Sequence, residues 1–186
     1  EPDVSPLAVQ GPKAEKLMTR VFGEAISRLP FFRFGIFPFE GRNLVIAHSG
    51  YSRQGGFEIY LDQTELGGKL WDTLWEAGKD LEVSPGCPNL IERVEGGLLS
   101  YGNEMTRGNN PLECNLDKFC DLNGSVQYIG KSRLLEIAEQ GVDQRIRGIV
   151  FEGTPSPPCG FPWPLESNGQ KVGYTTTVVW SPSLKT

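Results

Sequence analysis

Glycine and proline make up about a fifth of this chain, and no other feature limits its possible folds as strongly. The 186 residues include 23 glycines and 14 prolines. Both residue types destabilise the interior of a helix, so their abundance favours short strands and loops over a helix bundle. The chain also contains ten Phe, five Tyr and four Trp. That aromatic content predicts a chain with a buried core rather than a disordered one.

The charge and the histidine and cysteine counts argue against several function classes. A formal net charge of −5 argues against nucleic acid as a main partner, because the phosphate backbone attracts basic surfaces. A single histidine, His48, excludes a metal site built from several histidines, and we predict no bound metal. No apolar run approaches the roughly 20 residues of a membrane helix, so we predict no membrane partner. Four cysteines are too few for a disulfide scaffold and are predicted to be free, buried thiols; they are Cys87, Cys114, Cys120 and Cys159.

Hydrophobic periodicity predicts an α+β fold, in which strands and helices mix without strict alternation. Strands are predicted at residues 7–10, 31–39, 44–47, 57–61, 146–151 and 172–180, with a hairpin turn at 167–170. Four helices are predicted. The first follows Gly11-Pro12 and has an apolar face of Ala14, Leu17, Met18 and Val21, and the third begins at Pro88 and has an apolar stripe of Leu90, Ile91, Val94 and Leu98. The second spans residues 66–79 and the fourth residues 131–140. A proline-rich stretch predicts a boundary between an α+β region, residues 1–153, and a small β unit, residues 154–186.

A glycine-rich loop between two predicted strands is the first candidate site. Residues 50–58 read GYSRQGGFE and lack a nucleotide-binding fingerprint. The glycines let the backbone approach a flat ligand, and Tyr51 offers a stacking ring. Glu58, just inside the next strand, carries a carboxylate that can accept two parallel N–H donors, as on the amino-pyrimidinone edge of a pterin. From the residues alone, a hairpin with a solvent-exposed Glu58 remains the alternative.

A charged segment before Gly96-Gly97 is the second candidate site. Glu92, Arg93 and Glu95 lie within one turn of a predicted helix. Arg93 is of the right type to hold an anionic ligand in a cleft. A solvent-exposed helix face is the alternative.

Aromatic side chains are the third candidate. Trp163, Tyr174 and Trp180 are the side chains that could hold a sulfonium or an ammonium by cation–π attraction. Trp71 and Trp75, four residues apart on a predicted helix, are predicted to belong to the core instead.

Five segments occur together at an order and spacing typical of one family. They are PLAVQGPKA (6–14), the loop GY to FE (50–58), RVEGG (93–97) before YG (101–102), YIGK (128–131) and SPSL (181–184). The chain resembles the folate-dependent aminomethyltransferases, the glycine-cleavage T-proteins, over about residues 4–184. Within that family it is most similar to the dimethylsulfoniopropionate (DMSP) demethylase branch, on GCPNLIER (86–93), LLSYGN (98–103) and LDKFC (116–120).

This resemblance implies a fold and a set of binding residues. The fold would be the central part of the T-protein folate-binding fold, with mixed and antiparallel sheets and helices, followed by the start of a small C-terminal β-barrel. Tyr51, Glu58 and Arg93 match positions that contact tetrahydrofolate in the family, with Glu58 on the pterin edge. Asn89 stands where T-proteins have a further arginine, and residues 52–54 replace acidic ones. The second of these departures favours an altered substrate.

The resemblance also implies a function. We expect a cytoplasmic transferase that moves a methyl group from a small sulfonium, DMSP, to tetrahydrofolate and yields 5-methyltetrahydrofolate. One alternative is aminomethyl transfer from a lipoyl carrier protein; another is a non-catalytic folate-binding module, which the lack of a cysteine in YIGK disfavours. The family has an additional N-terminal section that carries a catalytic aspartate. We therefore expect a fragment that is inactive alone, lacks the last barrel strands, and can self-associate through exposed edges.

Overall fold

A computed structural model describes residues 4–86, 90–155, 157 and 159–186. The chain divides into two compact units, Glu1–Arg93 and Val94–Thr186. The domain boundary expected at residue 154 stays a prediction. Cys87, the predicted helix start at Pro88, and Asn89 lie outside the described residues.

A four-stranded antiparallel sheet is the centre of the first unit. Its strands are β1 (Ser5–Gln10), β2 (Phe34–Phe39), β3 (Arg42–Ala47) and β4 (Gly56–Leu61), in the order β1-β4-β3-β2. Glu40 and Gly41 join β2 to β3 with φ values of 47° and 74°, which suit a tight hairpin turn. In β4, Glu58 lies opposite Ala8 of β1 on one side and Ala47 of β3 on the other.

Helices of the first unit form where the apolar period predicts them at α1 (Ala14–Phe22) and α2 (Gly67–Gly78), with short 3₁₀ helices at Glu24–Arg28, Thr64–Leu66 and Lys79–Leu81. A third helix, α3 (Leu90–Glu95), begins in this unit, but the apolar stripe predicted for it is wrong, because Leu90 is exposed and Leu98 lies beyond the end of the helix. The predicted apolar face of α1 is confirmed: Ala14, Leu17 and Met18 are buried, and Val21 packs against the core.

The core lies on one face of the sheet, because β4 alternates as predicted. Its inward residues Phe57, Ile59 and Leu61 are buried. The other members of the core are Leu17, Met18, Ile26, Phe37, Phe39, Leu44, Ile46, Leu70, Leu74 and Leu81. Burial of these apolar side chains is the main force that holds the sheet against α1 and α2.

The opposite face of the sheet is open and apolar. Phe34, Ile36, Val45 and Tyr60 are all exposed on it, and alternation along the strands puts Glu58 on the same face. Contiguous apolar patches of this kind mark interaction surfaces. Self-association of the chain stays a prediction.

The second unit is mostly irregular. It contains a 3₁₀ helix at Asp117–Phe119, α4 (Lys131–Gln140), and a hairpin of β5 (Pro164–Ser167) and β6 (Gln170–Tyr174). The hairpin turn is confirmed, with positive φ at Asn168 and Gly169. Buried Lys131 donates to the carbonyls of Gly124 (2.5 Å) and Val126 (3.0 Å). The C-terminal β-barrel stays a prediction.

Three other sequence-based predictions about the elements are wrong. Residues 146–151, all of which are described, form no strand, since a β-prone run needs a partner strand that the local sequence does not reveal. The last strand ends at Tyr174 and does not continue to Trp180. Trp71 is 44% exposed rather than part of the core, and stacks on Trp75 with ring centroids 6.3 Å apart. In α2 the buried stripe is formed by Leu70 and Leu74 instead.

An ion pair between α1 and the 3₁₀ helix Lys79–Leu81 makes the stability of the first unit depend on acid pH. Arg20 donates to both carboxylate oxygens of Asp80, at 2.5 and 2.9 Å, and this lowers the pKa of Asp80 from 3.8 to about 2. The stabilisation is therefore complete above pH 3.8 and is lost as the pH falls through about 2.

We expect Asp80→Asn to lower the Tm slightly at pH 7, and we expect this difference in Tm to shrink towards pH 2. Thermal melts followed by circular dichroism at the two pH values measure the difference. Asp72→Asn, at an exposed position of α2, serves as the control. A deficit of Asp80→Asn that is the same at both pH values would contradict the assignment.

Candidate functional site

Glu58 is held by a hydroxyl group at the edge of the glycine-rich loop. Ser49, which follows the end of β3 by two residues, donates its Oγ–H to Oε2 of Glu58. The Glu58 side chain is half-buried, so the solvent-exposed hairpin glutamate considered from the sequence does not describe it. A carboxylate has about four lone-pair sites on two oxygens. Glu58 therefore keeps acceptor capacity for two parallel N–H donors while Ser49 fixes its orientation.

The glycine-rich loop is fastened to the end of β1 by Gln10. Gln10 Nε2 donates to the carbonyl of Ser49 (3.1 Å) and to that of Phe57 (3.2 Å). Its Oε1 accepts a bond from Ser52 Oγ at 2.7 Å. The amide of Gly11 also donates to the carbonyl of Gly55, at 2.9 Å. The loop is thus bonded to β1 and its continuation at several points.

Tyr51 and Arg93, the other two predicted binding residues, occupy different environments. Tyr51 lies in the loop and is 38% exposed, as a stacking ring must be. Arg93 lies in α3 and is only 5% exposed, so the alternative of a solvent-exposed helix face is wrong for it. Gln54 of the loop donates to Oε1 of Glu92, the neighbour of Arg93. That hydrogen bond joins the loop that carries Tyr51 to the helix that carries Arg93.

His48 packs against Phe57, the residue before Glu58, on the core face of the sheet. Its ring stacks on Phe57 at a centroid distance of 4.7 Å, and its Nδ1 lies 2.7 Å from the carbonyl oxygen of Leu29. Because a carbonyl only accepts, Nδ1 carries the proton. A cavity of about 170 Å³ lies beside the ring, below the range of about 300–1,000 Å³ common for small-molecule sites. It is lined by Gly11, Pro12, Glu15, His48, Gln54, Gly55, Gly56 and Phe57.

The thiols and metal-ligating side chains form no second site in the described part of the chain. Cys114, Cys120 and Cys159 are free, as predicted, but only Cys114 is buried. Burial and the nearby Glu113 raise the pKa of the Cys114 thiol, which disfavours the nucleophilic thiolate. Among the described residues, no three His, Cys, Asp or Glu side chains are placed to hold a metal ion. No helix there is both long and apolar enough to cross a membrane.

Sequence reasoning missed the residues that hold this site together. No pattern in the sequence marks Ser49, Gln10 or Ser52 as a site residue, although each bonds the loop or Glu58. The available signal was the density of glycine around them, which allows close backbone approach. The glycine content gives no indication of which polar side chain lies beside the glycines and bonds the loop.

The family of the chain follows from its sequence profile. Residues 1–124 match the profile of the GCVT N-terminal domain. The chain belongs to this family, the family of the glycine-cleavage T-proteins, as the sequence segments indicated.

Individual relatives refine this assignment. The chain is 56% identical over 182 residues to dimethylsulfoniopropionate demethylase DmdA of Ruegeria pomeroyi, covering 98% of the chain and 49% of that protein. It is 36% identical over 186 residues to an aminomethyltransferase of Caldanaerobacter subterraneus, again covering 98% of the chain, and 48% of that protein. The chain therefore spans about half the length of the curated relatives it matches.

A solved structure supports the fold. Aminomethyltransferase T of the glycine cleavage system from Bartonella henselae superposes with a TM-score of 0.69 at 23% identity, covering 98% of the chain and 49% of that protein. The prediction of a T-protein fold with helices and antiparallel sheets is thereby confirmed.

Proposed function

We propose that this chain forms the folate-binding half of a tetrahydrofolate-dependent methyltransferase that demethylates DMSP. The observation that carries the proposal is the difference in identity, 56% to the Ruegeria demethylase against 36% to the Caldanaerobacter aminomethyltransferase. Both comparisons cover 98% of the chain, so the difference does not come from the length compared. A cytoplasmic location belongs to the same proposal.

The geometry around Glu58 supports folate as the cosubstrate. A pterin presents two parallel N–H donors on its amino-pyrimidinone edge, and a carboxylate accepts such a pair. Ser49 holds one oxygen of Glu58, which leaves the carboxylate oriented before ligand arrives. Tyr51, partly exposed in the adjoining loop, is suited to stack on a flat ring. Arg93 completes the proposed set of folate contacts.

The proposed chemistry needs alignment more than acid catalysis. The S–CH₃ bond of the sulfonium breaks as an N–CH₃ bond to N5 of tetrahydrofolate forms; the sulfur leaves as a neutral thioether, and N5 releases its proton to solvent. Alignment of the reacting atoms can supply about 7–11 kcal/mol of the barrier reduction. The proposed contribution of this chain is to fix the pterin through Glu58. The catalytic residues are proposed to lie outside the chain.

A chimeric enzyme tests the proposal. This chain would replace the matching 182 residues of the Ruegeria enzyme, and the chimera would be incubated with DMSP and tetrahydrofolate. We expect 5-methyltetrahydrofolate, detected by mass spectrometry, with repeated turnover. The unaltered Ruegeria enzyme is the positive control.

Other products would point to the alternative functions. The 36% identity to an aminomethyltransferase supports the second candidate, aminomethyl transfer from a lipoyl carrier. If the chimera yields methylenetetrahydrofolate from an aminomethylated carrier and nothing from DMSP, the demethylase proposal is wrong. Folate binding without either product would favour a non-catalytic binding module.

A further inference from the structure

We infer that Gln10 is a positioning residue of the folate site: it holds the loop of residues 49–56 in the one arrangement that orients Glu58. This inference rests on the proposed function, because the role of Glu58 as a folate ligand belongs to that proposal. Gln10 itself is half-buried at the end of β1.

The hydrogen bonds of Gln10 reach both ends of the loop at once. Its two Nε2 hydrogens go to the carbonyls of Ser49 and Phe57, at 3.1 and 3.2 Å. Ser49 is the residue whose hydroxyl bonds Glu58, and Phe57 precedes Glu58 in β4. Ser49, which bonds the carboxylate, and Phe57, which precedes Glu58 in β4, are therefore both hydrogen-bonded to the side-chain amide of Gln10. Loss of that amide would remove a hydrogen-bond donor from each of two backbone carbonyls.

Gly50 and Gly56 lie where the loop closes against Gln10 and the end of β1. At Gly56 a side chain would meet backbone atoms, whereas at Gly50 it would displace the flexible end of the Gln10 side chain. A Cβ on Gly50 would lie 1.9 Å from Oε1 of Gln10, and a Cβ on Gly56 would lie 2.2 Å from the carbonyl oxygen of Val9. Real Cβ atoms do not approach other atoms so closely. Gly56 also has a φ of +145°, which side chains rarely adopt. The glycine-rich sequence of the loop thus serves internal packing, in addition to the approach of a ligand.

A polar chain continues from Gln10 towards Arg93. Ser52 Oγ donates to Gln10 Oε1 at 2.7 Å and accepts the backbone amide of Gln54 at 3.1 Å. The side chain of Gln54 then donates to Glu92, next to Arg93. Networks of this kind act as a unit. Gln10 is therefore placed to affect both Glu58 and the helix of Arg93 through hydrogen bonds within the protein.

The test uses Gln10→Met, which keeps the length of the side chain and removes its hydrogen bonds. Titration calorimetry with 5-methyltetrahydrofolate would measure Kd for the chain. We expect Kd to rise about tenfold, as for the loss of one or two net hydrogen bonds. Gln140→Met, at the exposed end of α4, is the matched control and should leave Kd unchanged. If Gln10→Met binds like the unaltered chain, the inference is wrong.

A double-mutant cycle separates positioning from general destabilisation. If Gln10 acts through Glu58, the combined variant Gln10→Met/Glu58→Gln should bind only slightly more weakly than Glu58→Gln alone. Independent effects that multiply would overturn the inference. If Gln10→Met does not fold, Ser52→Ala removes one bond of the same network and should raise Kd about two- to fivefold; an unchanged Kd for that variant would equally overturn the inference.

Hydrogen exchange distinguishes failure of the inference from failure of the proposed function. Amides of residues 49–56 should exchange faster in Gln10→Met than in the unaltered chain or in Gln140→Met. Faster exchange in a chain that binds no folate would refute the proposed function and leave only the loop-holding role of Gln10. Unchanged exchange would refute the positioning role, whether or not folate binds.

Discussion

Replacing Phe57 by alanine is expected to destabilise the first unit by about 3–5 kcal/mol, the usual cost of removing a buried aromatic side chain. Phe57 is only 1% exposed, and its ring stacks on His48. Domains of this size are stable by about 5–15 kcal/mol, so the substitution removes a large share of the total. In urea unfolding followed by fluorescence, Trp71 and Trp75 of α2 report on this unit, whereas Trp163 and Trp180 report on the second unit.

Two further variants make the measurement interpretable. Phe34→Ala removes the same ring from the open face of the same sheet, where Phe34 is 69% exposed, and should change the stability by no more than about 0.5 kcal/mol. Phe57→Leu keeps most of the apolar volume and should lose less than Phe57→Ala, which preserves a folded sample if the alanine variant unfolds. Equal losses for Phe57→Ala and Phe34→Ala would mean that the two faces of the sheet are assigned wrongly or that the open face is covered in solution.

The elements that could be predicted from the sequence are those whose signal is local. Alternation of Phe57, Ile59 and Leu61 identified the buried face of β4, and the Asn168-Gly169 pair identified the second hairpin. Residues 146–151 have the same β-prone composition but form no strand. Pairing depends on whether another strand lies alongside, and that depends on distant parts of the chain.

Exposure was harder to predict than secondary structure. Both Trp71 and Leu70 belong to α2, but adjacent residues on a helix point about 100° apart, and the core side is occupied by Leu70 and Leu74. The four-residue spacing favours the two tryptophans for the core, but Leu70 and Leu74 have the same spacing. Arg93 is the opposite case: the residue pattern alone leaves a solvent-exposed helix face open as the alternative to a binding role, and the side chain is buried.

The same contrast between local and long-range signals applies to the residues of the candidate site. Glu58 was singled out from its place after a glycine-rich loop and from the family resemblance. Ser49 and Gln10 were not, because their bonds to the loop and to Glu58 span 9 to 47 positions in the sequence. Contacts across such separations are created by the sheet register, which no single segment encodes. The binding residue could be predicted, whereas its supports could not.

Substituting Glu58 by glutamine is expected to weaken folate binding by about 1.5–3 kcal/mol, the range for a hydrogen bond to a charged group. The glutamine keeps the size of the side chain and one acceptor oxygen. It loses the charge, and its NH₂ group would face the N–H donors of the pterin edge. In a calorimetric titration with 5-methyltetrahydrofolate, Kd should rise about 10- to 150-fold.

The Kd of Glu58→Gln is compared with the Kd values of two control variants, Glu40→Gln and Ser49→Ala. Glu40 is exposed in the β2–β3 turn, so its substitution removes the same charge from the sheet and should leave Kd unchanged. If Glu40→Gln weakens binding as much, the effect is a long-range one of net charge and not a contact. Ser49→Ala removes the hydroxyl that orients the carboxylate but keeps the charge, so a smaller loss of affinity is expected. Unchanged affinity in Glu58→Gln would remove the pterin-edge assignment, and the folate would then have to be held by other residues.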